Sequence, residues 1–323
     1  MKIKESNKIF THPLFVILSA LLCCALWGSA TPFIKIGYEL VMPQKNVPST
    51  ILFAGIRFTL AGIITILIYS IARKRFLYPK LENLGKVGIV AATQTVIQYI
   101  FFYVGLSNTT GVKGTIASGS SVFFSILIST LLFRQEKLTL KKIFACILGF
   151  AGIIMVNLNG LTLDMNFTGD VFVIFSAASL GFSSVLIKKF SGSEDPVVIS
   201  GYQFVFGGAF MIAVGLIFGG RITVSNIEGV GVIIYLAFLS AIAYSLWGIL
   251  LKYNPVSKVT IFTCTTPVFG VILSTLMLKE NSNVEIINLI LSLLLVCVGI
   301  FILNYQKTKK QPQANINTKG DKS

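Results

Sequence analysis

The stretch LFVILSALLCCALWGSATPFIKIGY, Leu14 to Tyr38, decides the fold class. It opens with more than a dozen apolar or small residues and no charge, enough to begin crossing a bilayer as a helix, and then admits Gly28, Pro32 and Lys35 before it ends. That pattern predicts a membrane span broken near its far end. A counterpart returns at Ser179-Leu180-Gly181-Phe182-Ser183-Ser184, running on to Ile187-Lys188; it keeps the glycine and the Ile-Lys but lacks the tryptophan and the proline.

Working outward, 54% of the 323 residues are apolar and only 12% are charged, with a mean hydropathy of +0.82. So little polar surface excludes a soluble globule of this length. The net charge of +15 would point to nucleic acid in a soluble domain. Here the basic residues form short clusters between apolar spans, where they face an anionic leaflet, so nucleic acid is not an expected partner. The five cysteines (Cys23, Cys24, Cys146, Cys264, Cys297) fall inside apolar spans without C-x-x-C spacing and read as small buried hydrophobes. His12 is the only histidine and precedes the first span, which leaves no metal cluster and no intramembrane catalytic pair. Neither an enzyme nor a cofactor is expected. The N-terminus is basic and then apolar, without an obvious cleavage site, as in a retained anchor.

Apolar segments divide the chain into ten candidate helices, most of them about 18 to 24 residues long, the length that the hydrocarbon core demands. They run Leu14–Tyr38, Ser49–Ile71, Val87–Leu106, Val112–Phe133, Ile143–Asn157, Gly169–Lys189, Val197–Phe218, Val230–Leu251, Ser257–Leu278 and Ile286–Tyr305. Residues 1–13 form an N-terminal segment, and 306–323 a Lys-, Gln- and Asn-rich tail expected to be disordered. Of the 27 Lys and Arg residues, 21 fall in the two termini and in or at the edges of the even-numbered loops, four in or at the edges of the other loops, and two, Lys35 and Arg57, well within spans. This bias supports ten spans with both termini in the cytoplasm.

The two halves match. Gly55-Ile56-Arg57-Phe58 corresponds to Gly201-Tyr202-Gln203-Phe204, and Phe124 with Ser129-Thr130-Leu131 corresponds to Phe269 with Ser274-Thr275-Leu276. Gly152 and Asn157 are matched by Gly299 and Asn304. Five helices is an odd number, so the second unit must enter from the opposite side. The expected fold is therefore an all-α integral membrane protein of ten transmembrane helices in two inverted five-helix repeats, 14–160 and 168–305, an arrangement associated with alternating access.

With these motifs in hand, the chain resembles the EamA family of the drug/metabolite transporter superfamily. The resemblance rests on Trp27-Gly28-Ser29 with Ile34-Lys35, on Arg57-Phe58, on Tyr99 through Leu106, and on Leu132-Phe133-x-x-Glu136-x-Leu138-Thr139 between helices 4 and 5. It covers about residues 14 to 305. The chain departs from the family by Gln135, where glycine is frequent, and by an extended loop around Met42–Pro48. The resemblance implies a multi-pass protein of the plasma or inner membrane that moves small metabolites such as amino acids, often outward. A multidrug or lipophilic-compound exporter is the alternative within this class, and a non-transporting receptor or assembly subunit is the alternative outside it. The lipid bilayer and a small-molecule substrate are the expected partners. The sequence leaves the oligomeric state open, a homodimer included.

Lys35 and Arg57 are the charged residues well within spans, and both lie toward the outer side, so they can share a level. A basic pair in a water-filled cavity suits a carboxylate. Alternatively, Lys35 snorkels to the interface and Arg57 satisfies helix carbonyls or pairs with Glu39. All twelve Asp and Glu lie in loops, tails or helix ends, which favours export, exchange or potential-driven movement over carboxylate-based proton antiport. Further candidate substrate-binding residues are Trp27, Gln94, Gln98, Tyr99, Phe102, Tyr103, Gln203, Tyr244 and Trp247. Gln94, Gln98 and Phe102 at i, i+4 spacing would put amides and aromatics on one face of helix 3, although a midplane glutamine also serves simply to join helices. Gly28, Pro32, Ser121, Ser125, Ser129, Thr266, Pro267, Gly270 and Ser274 read as helix-packing or hinge positions.

Overall fold

A computed structural model describes residues 8–43, 46–109, 111–156, 158, 166–278 and 286–304. Residues 1–7, Asn157, Tyr305 and the tail 306–323, with its expected disorder, lie outside the described residues. The described chain is helical, in segments α1 (Pro13–Val41), α2 (Val47–Ala72), α3 (Leu81–Leu106), α4 (Lys113–Leu132), α5 (Leu140–Val156), α6 (Phe167–Phe190), α7 (Pro196–Ile217), α8 (Ile227–Tyr253), α9 (Val256–Met277) and α10 (Ile287–Asn304). Nine of these are long and apolar enough to cross a membrane; α5, at 17 residues, packs along α10. Leu18, Leu22, Leu67, Ile71, Leu294 and Phe301 point away from the protein, as lipid-facing side chains do. Cys297 is exposed on α10, unlike the other four cysteines, because it belongs to that outward face.

Local sequence accounts for the helix ends. Asn46, Asp195 and Asn226 each cap the helix that follows by accepting from a backbone N–H, and Pro48 and Pro196 sit in first turns, where proline costs no hydrogen bond. The expected break in the first span does not occur: α1 runs unbroken through Pro32 to Val41. Pro32 removes a single donor and releases the Gly28 carbonyl, and packing against α8 and α9 holds the helix in line. Before Pro267, by contrast, α9 tightens into a 3₁₀ turn at Ile261–Thr265.

Small residues set how the helices cross. The broadest contact joins α2 to α7. There, a Cβ added at Gly55 would lie 2.7 Å from the Ile212 N, and one at Gly201 2.9 Å from Ile66 Cγ1; one at Gly62 would lie 2.5 Å from the Gly201 carbonyl oxygen. Phe58 and Phe204 stack across this crossing, with centroids 5.0 Å apart and an interplanar angle of 7°. The helix pairs α1–α9 and α4–α6 pack through Gly28 and Gly181 respectively.

Candidate functional site

Seven helices, α1, α2, α3, α4, α6, α8 and α9, surround a central cavity of about 640 Å³. Among the described residues, its lining carries two charged side chains, Lys35 and Arg57, and no carboxylate. Arg57 is 3% exposed; its guanidinium lies 4.1 Å above the Phe58 ring and 5.7 Å from that of Tyr99, and its Nη1 donates to Ser240 Oγ at 3.5 Å. The surrounding rings replace part of its hydration by cation–π attraction.

Aromatic residues form the wall beside this charge. Tyr99 and Tyr244 share a hydrogen bond of 2.8 Å between their hydroxyls, and the Trp27 ring meets Tyr244 and Trp247 edge-on at 5.2 and 4.9 Å. Phe102 and Tyr103 complete the α3 face. The opposite wall is hydroxyl-rich. Ser118, Ser125, Thr263 and Thr275 donate to carbonyls of their own helices at 2.7 to 2.9 Å, so what they offer the cavity is lone pairs.

Four buried polar atoms of the lining lack a hydrogen-bond partner within the described protein: Trp27 Nε1, Arg57 Nε, Gln98 Oε1 and Thr266 Oγ1. Buried donors and acceptors left open around one cavity are what a polar solute or ordered water would satisfy. The cavity volume suits a small metabolite, within the usual range of roughly 300–1,000 Å³ for ligand sites.

The structure brings Trp27, Lys35, Arg57, Gln98, Tyr99, Phe102, Tyr103, Tyr244 and Trp247 to the cavity, but not Gln94 or Gln203. Gln94 is displaced because α3 adopts a π turn at Ala91–Ile97, whose wider spacing breaks the i, i+4 register with Gln98. Gln203 is fully buried between α7 and α3 and accepts from Thr95 Oγ1 at 2.5 Å, so it joins helices. Of the small-residue positions, Ser121, Ser125, Thr266, Pro267, Gly270 and Ser274 line the cavity, whereas Gly28, Pro32 and Ser129 do not. Tyr38, Ser118 and Ser240 line the cavity as well, beyond the residues that the sequence singles out. Ser240 lies one helical turn from Tyr244 on α8, a spacing that would have placed it on the same face.

At one end of the bundle, polar contacts tie neighbouring turns together. Glu136 accepts from Lys142 Nζ at 2.7 Å, from the Ser257 N–H at 3.2 Å and from the Ser257 hydroxyl. Glu194 accepts from Asn83 Nδ2 and the Lys80 N–H, each at 3.0 Å, and Arg73 pairs with Asp195 at 2.6 Å. Burial pushes the Glu136 carboxyl up, but the hydrogen bonds from Lys142 and Ser257 and the charge of Lys142 outweigh it, holding the carboxyl below the usual range. None of these residues lines the cavity, whose wall runs from Ser184, Trp247 and Thr260 toward Tyr38, Leu106, Gly114 and Thr275.

A family model for EamA-like transporters matches residues 14–158 and again 167–305, which together span most of the chain. The chain belongs to the EamA-like transporter family. Two copies of the motif are thus present, with the junction between α5 and α6. Among relatives of this EamA-like protein, an uncharacterized transporter of Synechocystis is 25% identical over 301 residues, covering 86% of this chain and 89% of its own. The uncharacterized transporter YvbV of Bacillus subtilis is 24% identical over 305 residues, covering 91% and 93%. A WAT1-related chloroplastic protein of Arabidopsis thaliana is 22% identical over 289 residues, covering 85% and 68%. A solved crystal structure shares the fold, with a TM-score of 0.69 over 89% of this chain and 96% of that one, at 16% identity.

Proposed function

We propose that this membrane transporter carries small carboxylate-bearing metabolites, amino acids foremost, by alternating access, in the direction of export or in exchange. The observation that carries this reading is the buried Arg57 guanidinium in a cavity whose described lining holds no carboxylate. A cation kept out of water and without a protein anion beside it is stabilised by an anionic ligand. Arg57, Lys35 and Trp27 Nε1 supply donors for the carboxylate, while Gln98 Oε1 and the hydroxyl lone pairs of α4 and α9 can accept from an ammonium group. The aromatic wall takes the side chain. A lipophilic cation, the natural cargo of a multidrug exporter, would meet Arg57 and Lys35 with like charge.

The chain crosses the membrane ten times, with α5 as the fifth span and both termini on the cytoplasmic side of a plasma or inner membrane. The lysine bias between alternate loops supports this orientation. Two inverted five-helix repeats account for the symmetric crossings: the α2–α7 contacts of Gly55 with Ile212 and Gly201 with Ile66 exchange places under the sequence equivalence of the two halves. In this orientation the tied end is cytoplasmic and the cavity faces outward. Without a lining carboxylate to load and release a proton, exchange or the membrane potential drives transport.

Proteoliposomes containing the purified protein test this reading. Uptake of a labelled neutral or acidic amino acid, accelerated by unlabelled amino acid on the far side, is the expected outcome. Failure to move any member of a broad amino-acid and organic-acid panel would overturn it.

A further inference from the structure

The lysine-rich end of the bundle holds a second recess, of about 290 Å³, between the α4–α5 turn, the α8–α9 turn and the end of α10. We propose that it binds the phosphate of an anionic phospholipid headgroup. The inference is independent of what the central cavity carries.

Three ammonium groups, Lys141, Lys142 and Lys258, line the recess against one carboxylate, Glu136. That carboxylate is committed to Lys142 and to both the N–H and hydroxyl of Ser257. Lys258 lies in its field as well, yet the recess still carries two surplus positive charges. Lys141 stands exposed at the first turn of α5, Lys258 is half-buried at the start of α9, and the Thr139 hydroxyl lies between the turns. Two cations and a hydroxyl around a recess of this size suit a phosphodiester.

The surroundings distinguish a lipid from a soluble phosphate. Leu303 closes the floor with apolar surface. Leu140, the neighbour of Lys141, is 73% exposed, and Phe144 and Ile147 continue the exposed apolar strip along α5. On α10, Phe301 and Val298 are exposed as well. A ligand with its phosphate on the lysines therefore has hydrocarbon-facing surface for its acyl chains. Basic recesses at the ends of transmembrane helices are where anionic headgroups bind, and the extra ammonium of a zwitterionic headgroup would meet like charge.

The test is thermal unfolding of the purified full chain in neutral detergent, with phosphatidylglycerol, phosphatidylcholine or glycerol 3-phosphate added at equal concentration. Phosphatidylglycerol is expected to raise the midpoint above the other two, and high salt to abolish the difference. The double variant K141Q/K258Q should weaken the phosphatidylglycerol affinity about tenfold or more, and exposed K141Q alone about fivefold. R75Q, at the same end but away from the recess, should keep the full shift. Equal shifts with phosphatidylcholine, an equal shift with glycerol 3-phosphate, or an unchanged shift in K141Q would each overturn the proposal.

Discussion

Tyr99 and Tyr244 stand 145 residues apart in the chain, and their hydroxyls hydrogen-bond to each other at 2.8 Å. The same offset relates Phe124 to Phe269, so each tyrosine touches its own counterpart in the other half. A residue can meet its symmetry mate only on the symmetry axis. Phe58 and Phe204, also counterparts, stack beside them at 5.0 Å. The proposed two-fold relation of the repeats thus runs through the aromatic wall of the cavity, next to Arg57.

Each partner of the tyrosine pair loses the same bond, so Y99F and Y244F should cost alike and not add. A membrane-buried hydrogen bond of this kind contributes about 0.6 kcal/mol, at most roughly 1.7. Thermal unfolding of the two single variants and the double variant checks this. The double variant is expected to match either single one rather than their sum.

Gly28 and Gly181 are predicted to be equivalent in cost. A Cβ at Gly28 would sit 2.6 Å from Phe269 Cβ, and one at Gly181 2.8 Å from Phe124 Cβ. Both neighbours are the stiff ends of side chains in a helix, so the helices must separate. G28A and G181A should each destabilise by about 1–3 kcal/mol. Folded yield and unfolding midpoint measure it, and one tolerant site beside one intolerant site would contradict the symmetric packing.

The membrane-spanning helices were legible in the sequence, because apolar run lengths are written directly in the chain. Trp27, Arg57, Tyr99 and Tyr244 were identifiable for the same reason: polar or amphipathic groups inside apolar spans stand out. Gln94 and Gln203 stand out equally, yet they lie between helices. The π turn at Ala91–Ile97 that rotates Gln94 away leaves no residue-type signature. The unbroken course of α1 through Pro32 was hidden too, since neighbouring helices hold it straight. The serine and threonine ladders read as packing, and only the placement of α4 and α9 around the cavity turns part of them into lining.

Glu136 bridges the α4–α5 turn to the start of α9, and its loss should loosen the lysine-rich end. E136Q is expected to raise labelling of a cysteine placed at Thr260 by a membrane-impermeant reagent applied from that side. The pH dependence has a definite sign. The carboxyl is lowered in the folded state, so its contribution is complete above about pH 5 and fades as acid protonates it below the ordinary value of about 4.3. The stability gap between wild type and E136Q should therefore hold at neutral pH and close on acidification. A gap that closes near neutrality would contradict the assignment.

Ser240 holds one arm of Arg57 and should act by positioning it. S240A is expected to weaken substrate affinity by a few-fold, in keeping with the loss of one charge-assisted contact. The apparent affinity in counterflow reads this out, and the maximal rate should change less.

The central claim, that Arg57 receives the carboxylate of the cargo, is tested most directly by counterflow of a labelled amino acid in proteoliposomes bearing R57Q. Glutamine keeps an amide donor, on a shorter side chain, but removes the charge. The account predicts an apparent affinity about tenfold or more weaker, with the protein still folded and inserted, since a hydrogen bond to a charged group is worth about 1.5–3 kcal/mol. An R57Q transporter with unchanged affinity for the amino acid would contradict it.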